Sequence, residues 1–190
     1  MTPPLVFARS ARFLHWLMAV LVLIMLFVGV FMASSVGPAY HALVAFHRPL
    51  GLAILILALL RLLNRMLNPP PALPGDLSPV LVLAAHASHW ALYGLMIALP
   101  LIGWAMLSAG GYPVPLFGSD VLLPPILPRN AALWGWLRLA HTILAFGLFG
   151  LILAHSGAAL FHGLIRRDTV LRSMMGQRKA PSVSSSQPTD

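Results

Sequence analysis

Residues 131–165 read AALWGWLRLAHTILAFGLFGLILAHSGAALFHGLI, and this stretch gives a clear indication of the fold class. Its only charged residue is Arg138, and it is longer than the ~20 residues that a helix needs to cross the hydrocarbon core of a bilayer. A segment within lipid must satisfy its own backbone hydrogen bonds, so a run of this kind is expected to be an α-helix. The stretch therefore predicts a transmembrane helix, and its interior carries His141 and His155.

Three further apolar runs precede this stretch, and the four together predict helices at about residues 10–34, 41–66, 80–108 and 131–165. Hydrophobic residues make up 59% of the chain and charged residues only 8%, whereas soluble domains carry about 25% charged residues. We therefore predict an all-α fold, an integral membrane four-helix bundle that forms one domain over residues 1–175. Residues 176–190 are polar and rich in serine, which is typical of a disordered tail.

The Lys and Arg residues predict the orientation of this bundle. With four helices, both termini and the second connection share one side of the membrane. That side carries Arg9, Arg12, Arg61, Arg65, Arg166, Arg167, Arg172, Arg178 and Lys179, whereas the other side carries Arg48, Arg129 and Arg138. Because basic residues accumulate on the cytoplasmic side, both termini are predicted to be cytoplasmic in a multi-pass protein of the bacterial inner membrane.

The charge balance and the absence of cysteine exclude several kinds of protein. The net charge of +8 with only four acidic residues would suggest nucleic acid as a partner of a soluble protein. Here the charges flank apolar runs, so lipid is the expected partner and nucleic acid is not. The chain has no cysteine, which excludes disulfides, iron–sulfur clusters and covalent haem attachment.

Eight histidines are the unusual polar feature of the chain, since ionisable groups within membrane helices are costly and mark function by default. His141 and His155 are fourteen positions apart on one helix, so they lie on nearly the same face and ~21 Å apart along the axis. This spacing suits two stacked cofactors in one bundle better than one metal ion. Zinc remains the alternative for imidazoles, but it prefers clustered ligands with carboxylate or thiolate help.

Partners for these two histidines must lie at matching depths in the membrane. The second helix begins at the outer side, so His47 can meet His141, and His41 is the alternative. The first and third helices begin at the inner side, which leaves three candidates for His155. These candidates are His15, His86 and His89. Each such pair could provide the two axial imidazoles of a haem in an apolar slot.

The ordered set of histidines and their neighbours resembles the bacterial cytochrome b-561 family over about residues 8–175. The resemblance begins at Arg12-Phe13-Leu14-His15-Trp16 and continues through His47 with Gly51, through residues 59–62 before a proline-rich link, and through His86-Ala87-Ser88-His89. It continues through residues 98–103 and ends with His141, His155, Phe161-His162 and residues 168–174. Single pieces are weak signals, but their order along four helices is specific.

This resemblance implies two b haems, with His15 and His155 holding the inner haem iron and His47 and His141 the outer one. The chain looks most like the small stand-alone members of the family, which are described as superoxide oxidases. The resemblance thus implies a superoxide:ubiquinone oxidoreductase, in which superoxide is oxidised outside and ubiquinone is reduced. The alternative is an electron-transfer subunit that links a periplasmic dehydrogenase or cytochrome to the quinone pool.

A quinone site is expected at the inner end, lined by His89 and His162, with His86 as the alternative to His89. His162 follows His155 by seven residues, so it lies close to the same face and ~10 Å further towards the cytoplasm. Imidazoles titrate near neutral pH and could bind quinone carbonyls and deliver protons. No side chain is expected to act as a catalytic group in the transfer of the electron itself, since haem carries the redox chemistry.

Overall fold

The computed structural model describes residues 6–177, and it places four long helices side by side. They are α1 (Arg9–Ser34), α2 (Gly37–Leu67), α3 (Pro79–Gly110) and α4 (Ala131–Leu160), followed by a π-helical turn (Phe161–Arg166) and a short α5 (Thr169–Met175). All four long helices are long and apolar enough to span a membrane. The predicted all-α four-helix bundle is therefore confirmed, while most of the predicted tail, residues 178–190, lies outside the described residues.

We call the end of the bundle with the start of α1 and the α2–α3 link the terminal end, and the opposite end the loop end. The close backbone contacts join α1 to α2, α2 to α3 and α3 to α4. Within the described residues, α4 does not approach α1 or α2 as closely as it approaches α3. The backbone of α4 therefore lies further from those of α1 and α2 than from that of α3.

The helix ends follow from local sequence. The second helix begins at Gly37, four residues before the predicted position, because Gly37 turns the chain at a φ of 65° and Pro38 occupies the first turn, where its missing N–H costs little. Asn130 caps α4 by accepting a 2.9 Å hydrogen bond from the Leu133 N–H. Asp168 caps α5 in the same way from the Val170 N–H, at 3.0 Å.

The buried core is a single layer to which all four helices contribute. It consists of Met18, Val22, Ile54, Ala58, Tyr93, Met96, Leu99 and Leu148. Leu148 is the buried residue of α4, and it lies seven positions from both His141 and His155, on nearly the same face of the helix. The core therefore separates two histidine-bearing regions, while large apolar residues cover the outside of the helices as they would towards lipid.

Candidate functional site

At the loop end, His47 of α2 faces His141 of α4. The centroids of the two imidazole rings are 6.2 Å apart, and the ring planes are inclined by 65°. His41, the alternative partner, is exposed and instead lies edge-on to Tyr40 at 5.9 Å. The structure thus brings together the two histidines that the depth argument favoured.

At the terminal end, His15 of α1 faces His155 of α4. Their ring centroids are 6.3 Å apart, with the planes inclined by 67°. His89 also contacts His155, with ring centroids 5.4 Å apart. His86 is exposed and bonds to the Val82 carbonyl of its own helix at 2.8 Å, so it does not take part in this cluster.

The ring separations within the two pairs fit two imidazoles that bind one metal ion from opposite sides. An imidazole nitrogen binds a metal ion at about 2 Å, and adding a ring radius of about 1.1 Å on each side places two opposed ring centroids about 6.2 Å apart. The pairs His47–His141 and His15–His155 lie at 6.2 and 6.3 Å. The 5.4 Å contact of His89 is shorter than this arrangement requires.

The surroundings of these rings fit a buried metal cofactor as well. Within the described residues, the Nδ1 atoms of His15, His47 and His141 are buried without a hydrogen-bond partner. Buried polar atoms without partners are uncommon, and a bound ion or redox group is one explanation for them. The histidines meet in pairs, and no three metal-binding side chains of the described residues form a group that could hold an ion. Two opposed imidazoles among apolar side chains are what a non-covalent haem needs.

A family comparison agrees with this geometry. The family model described as "Prokaryotic cytochrome b561" matches residues 6–177. The chain belongs to the prokaryotic cytochrome b561 family. Cytochromes of this family bind haem b and transfer electrons, so the protein is a membrane cytochrome b of a bacterial membrane.

Three relatives are similar to this chain over most of its length. "Cytochrome b561 homolog 2" of Escherichia coli K12 is 34% identical over 171 residues, which cover 88% of this chain and 89% of the relative. "Probable superoxide oxidase CybB" of Yersinia pestis is 32% identical over 167 residues, or 87% and 93% of the two chains. "Cytochrome b561 homolog 1" of Escherichia coli K12 is 29% identical over 177 residues, or 91% and 98%.

A hydrogen-bonded loop covers the loop end of this cytochrome. Residues 114–123 fold back on themselves through a 2.7 Å bond from the Leu116 N–H to the Val121 carbonyl and a 2.9 Å bond from the Leu123 N–H to the Val114 carbonyl. The loop is attached to the helices by Trp104, whose indole N–H donates to the Pro124 carbonyl at 3.1 Å. The turn at its centre also packs against α2, the helix that carries His47.

Cationic side chains lie around this loop. Arg48, which follows His47, donates to the Pro113 carbonyl at 3.4 Å. Arg138 stacks over the Trp134 ring with its guanidinium carbon 5.4 Å from the centroid. Arg129 is exposed and lines a surface hollow with Tyr112 and Trp134. The electrostatic character of the loop end is therefore positive.

The terminal end contains groups that sequence reasoning did not assign to a site. The guanidinium carbon of Arg61 lies 5.6 Å from the centroid of the Tyr93 ring, and Arg65 lies 5.9 Å from the rings of both Trp90 and Tyr93. The charge of Arg61 is close enough to act on His15, His89 and His155. A signal for this cluster was available, because Arg61, Arg65 and Tyr93 occur on apolar helices at depths similar to those of the histidines.

His162 also has a partner that the sequence analysis missed. Its Nδ1 lies 2.5 Å from the Oδ2 of Asp168, which also accepts a 3.2 Å hydrogen bond from Arg166. Arg166 reaches in addition to Asp76 of the α2–α3 link, at 2.7 Å. Burial alone would raise the pKa of the Asp168 carboxyl, but hydrogen bonds from His162 and from the Val170 N–H, with the charge of Arg166, hold it below its ordinary value. An aspartate just before a short helix was the available signal, since it is a preferred N-cap residue.

Proposed function

We propose that this cytochrome is a superoxide:ubiquinone oxidoreductase that holds two b haems. The main observation that supports this proposal is the presence of two imidazole pairs of almost equal separation, one at each end of the bundle. His47 and His141 would hold the outer haem, and His15 and His155 the inner one. When bound, the haems carry single electrons between the two faces of the membrane.

In this proposal the loop end faces the periplasm and the terminal end the cytoplasm of a bacterial inner membrane. The unequal distribution of arginine and lysine supports this orientation. Two superoxide anions give two molecules of dioxygen and two electrons at the loop end. Ubiquinone takes both electrons and two protons at the terminal end and becomes ubiquinol.

The residues of the loop end attract and admit the anion. Arg48, Arg129 and Arg138 lie around the loop at the end of the bundle that holds the outer histidine pair, and their field raises the local concentration of a small anion. A relative of comparable length, 32% identical, is named as a probable superoxide oxidase, which supports superoxide as the donor.

The residues of the terminal end bind the quinone in this proposal. The Nδ1 of His89 contacts the Ala85 carbonyl at 2.6 Å, and its ring faces His155. The His89 imidazole is thereby held in a fixed orientation beside the inner haem ligand and can form a hydrogen bond with a quinone carbonyl. His162, paired with Asp168, can supply a proton from the cytoplasmic side.

The test is rapid mixing of the purified haem-loaded protein with superoxide, followed by ubiquinone, while the haem spectrum is recorded. We expect superoxide to reduce the haems and ubiquinone to reoxidise them. The reduction rate should fall as salt rises, because exposed charges are screened within ~8 Å at physiological ionic strength. Arg129→Gln should weaken this salt dependence, whereas Arg167→Gln at the other end should leave it unchanged.

The same experiment separates this function from that of an electron-transfer subunit. If superoxide reduces the haems no faster than it reduces free haem, the oxidase proposal is wrong. Reduction by a periplasmic dehydrogenase or cytochrome alone would then identify the protein as a link between that donor and the quinone pool.

A further inference from the structure

A surface groove runs between the start of α1 and the short helix α5 at the terminal end. Its lining is basic at one end and apolar along the rest, and consists of Arg9, Arg12, Phe13, Trp16, Leu17, Val20, Met174 and Met175. The Phe7 N–H donates a 3.4 Å hydrogen bond to the Ser173 carbonyl, and the Arg12 guanidinium lies against Gly176 so closely that a Cβ there would collide with it. The two walls of the groove are thus joined at its basic end.

The positive charge of this groove is not balanced by the described part of the chain. Asp76 and Asp168 are engaged by Arg166 and His162, and none of the ion pairs among the described residues includes Arg9 or Arg12. The Nε atom of Arg12 is buried and has no hydrogen-bond partner within residues 6–177. A guanidinium group that lacks acceptors is costly, and Arg12 also lines the groove, so an anion bound in the groove can pair with its charge.

The apolar part of the groove lies on a membrane-spanning helix and faces outward. Phe13 is 68% exposed, Trp16 48% and Val20 55%. These residues follow Arg12 along α1 in the direction of the bilayer centre, at positions that share one side of the helix. Tryptophan is enriched at the level of the lipid headgroups, which places the basic end at that level and the apolar part against acyl chains.

We propose that this groove binds one anionic phospholipid, such as phosphatidylglycerol. The lipid phosphate accepts hydrogen bonds from Arg9 and Arg12, since guanidinium groups pair well with phosphate oxygens. One acyl chain lies along Phe13, Trp16 and Val20. A zwitterionic lipid would offer the same acyl chain, but its ammonium group would be repelled by the two arginines, so the groove selects for net negative charge.

The experiment is native mass spectrometry of the full-length, haem-loaded protein equilibrated with phosphatidylglycerol and phosphatidylcholine at equal concentrations. A basic residue near an anionic lipid increases binding about fivefold, so we expect a clear preference for phosphatidylglycerol. Arg9→Gln should reduce that preference about fivefold, and the Arg9→Gln/Arg12→Gln double variant should abolish it. The single variant keeps the test informative if Arg12 is also needed to hold α5 in place.

The matched control is Arg167→Gln, at the same end of the bundle but outside the groove, which should retain the full preference. Loss of the preference in this control, or its persistence in the double variant, would overturn the proposal. A second arm adds inorganic phosphate in place of the competing lipid. Displacement of phosphatidylglycerol by an equal concentration of inorganic phosphate would show that the apolar part contributes nothing and would equally overturn it.

Discussion

The two ends of the bundle hold histidine pairs of nearly the same geometry in different surroundings. At the loop end the rings of His47 and His141 share their end of the bundle with a hydrogen-bonded loop that packs against α2. At the terminal end a third imidazole, His89, contacts His155, and Arg61 lies nearby, stacked on Tyr93. The two ends therefore share the same pairing of imidazoles and differ in the groups around it, so any difference in what the two ends bind must come from these neighbouring groups.

The largest effect is expected when one histidine of a pair is replaced, which tests whether the two pairs are independent haem sites. Under the proposed ligand assignment, His141→Ala and His155→Ala should each lower the haem content from two per chain to one, because each removes a proposed ligand of a different haem. A pyridine haemochrome assay measures the content, and optical spectra should identify a different remaining haem in each variant. His41→Ala is the control and should keep both haems. Retention of both haems in either ligand variant would disprove the ligand assignment.

A second prediction tests whether quinone exchange belongs to the terminal end alone. His89→Phe and His162→Phe should slow the reoxidation of the haems by ubiquinone tenfold or more, since positioned proton donors typically contribute at least about a hundredfold. Stopped-flow spectroscopy measures this rate, and reduction by superoxide should be unchanged. His86→Phe, a change on the same helix away from the cluster, is the control. Normal reoxidation in both variants would locate the quinone elsewhere.

A smaller effect is expected from removing the charge of Arg61, which lies close to the histidines of the terminal end. Arg61→Gln should lower the reduction potential of the inner haem by about 60 mV, a tenfold change in the ratio of reduced to oxidised haem, because a nearby positive charge stabilises the reduced form. Spectroelectrochemical titration resolves the two haems. Arg48→Gln should instead act on the outer haem, since Arg48 lies beside His47. A change in the reduction potential of the same haem in both variants would contradict the proposal that Arg61 and Arg48 act on different haems.

The smallest expected effect concerns Asp168, which has no counterpart beneath the loop. Its pKa is lowered in the folded protein, so its contribution to stability is present above the unfolded pKa of about 4 and disappears as the pH falls through the folded value. Loss of the α5 cap costs about 1 kcal/mol, so Asp168→Ala should lower the Tm by about 2–4 °C at pH 7. The difference in Tm from the wild type should become smaller as the pH falls through the folded pKa of Asp168. Asp120→Ala, a matched change in the loop, should leave the Tm unchanged at every pH.

The sequence predicted the four long helices because each apolar run is long enough to span a bilayer and carries few charges. It also predicted that His47 meets His141, because the depth of both residues follows from counting along their helices. It did not predict α5 or the partner of His162, since a seven-residue helix has too few positions for a periodic pattern. The contact of His89 with His155 depends on the rotation of α3, and depth alone left His15, His86 and His89 as equal candidates.

One histidine of each imidazole pair lies on α4, so this single helix sets the distance between the two pairs. The rise between His141 and His155 is fixed by backbone hydrogen bonds, at ~21 Å, whatever the neighbouring helices do. Insertion of one residue between them would rotate one imidazole by ~100° out of the bundle. Changes in the length of the surface loops would leave the distance between the two imidazole pairs unaltered, whereas an insertion or deletion in this one helix would change it.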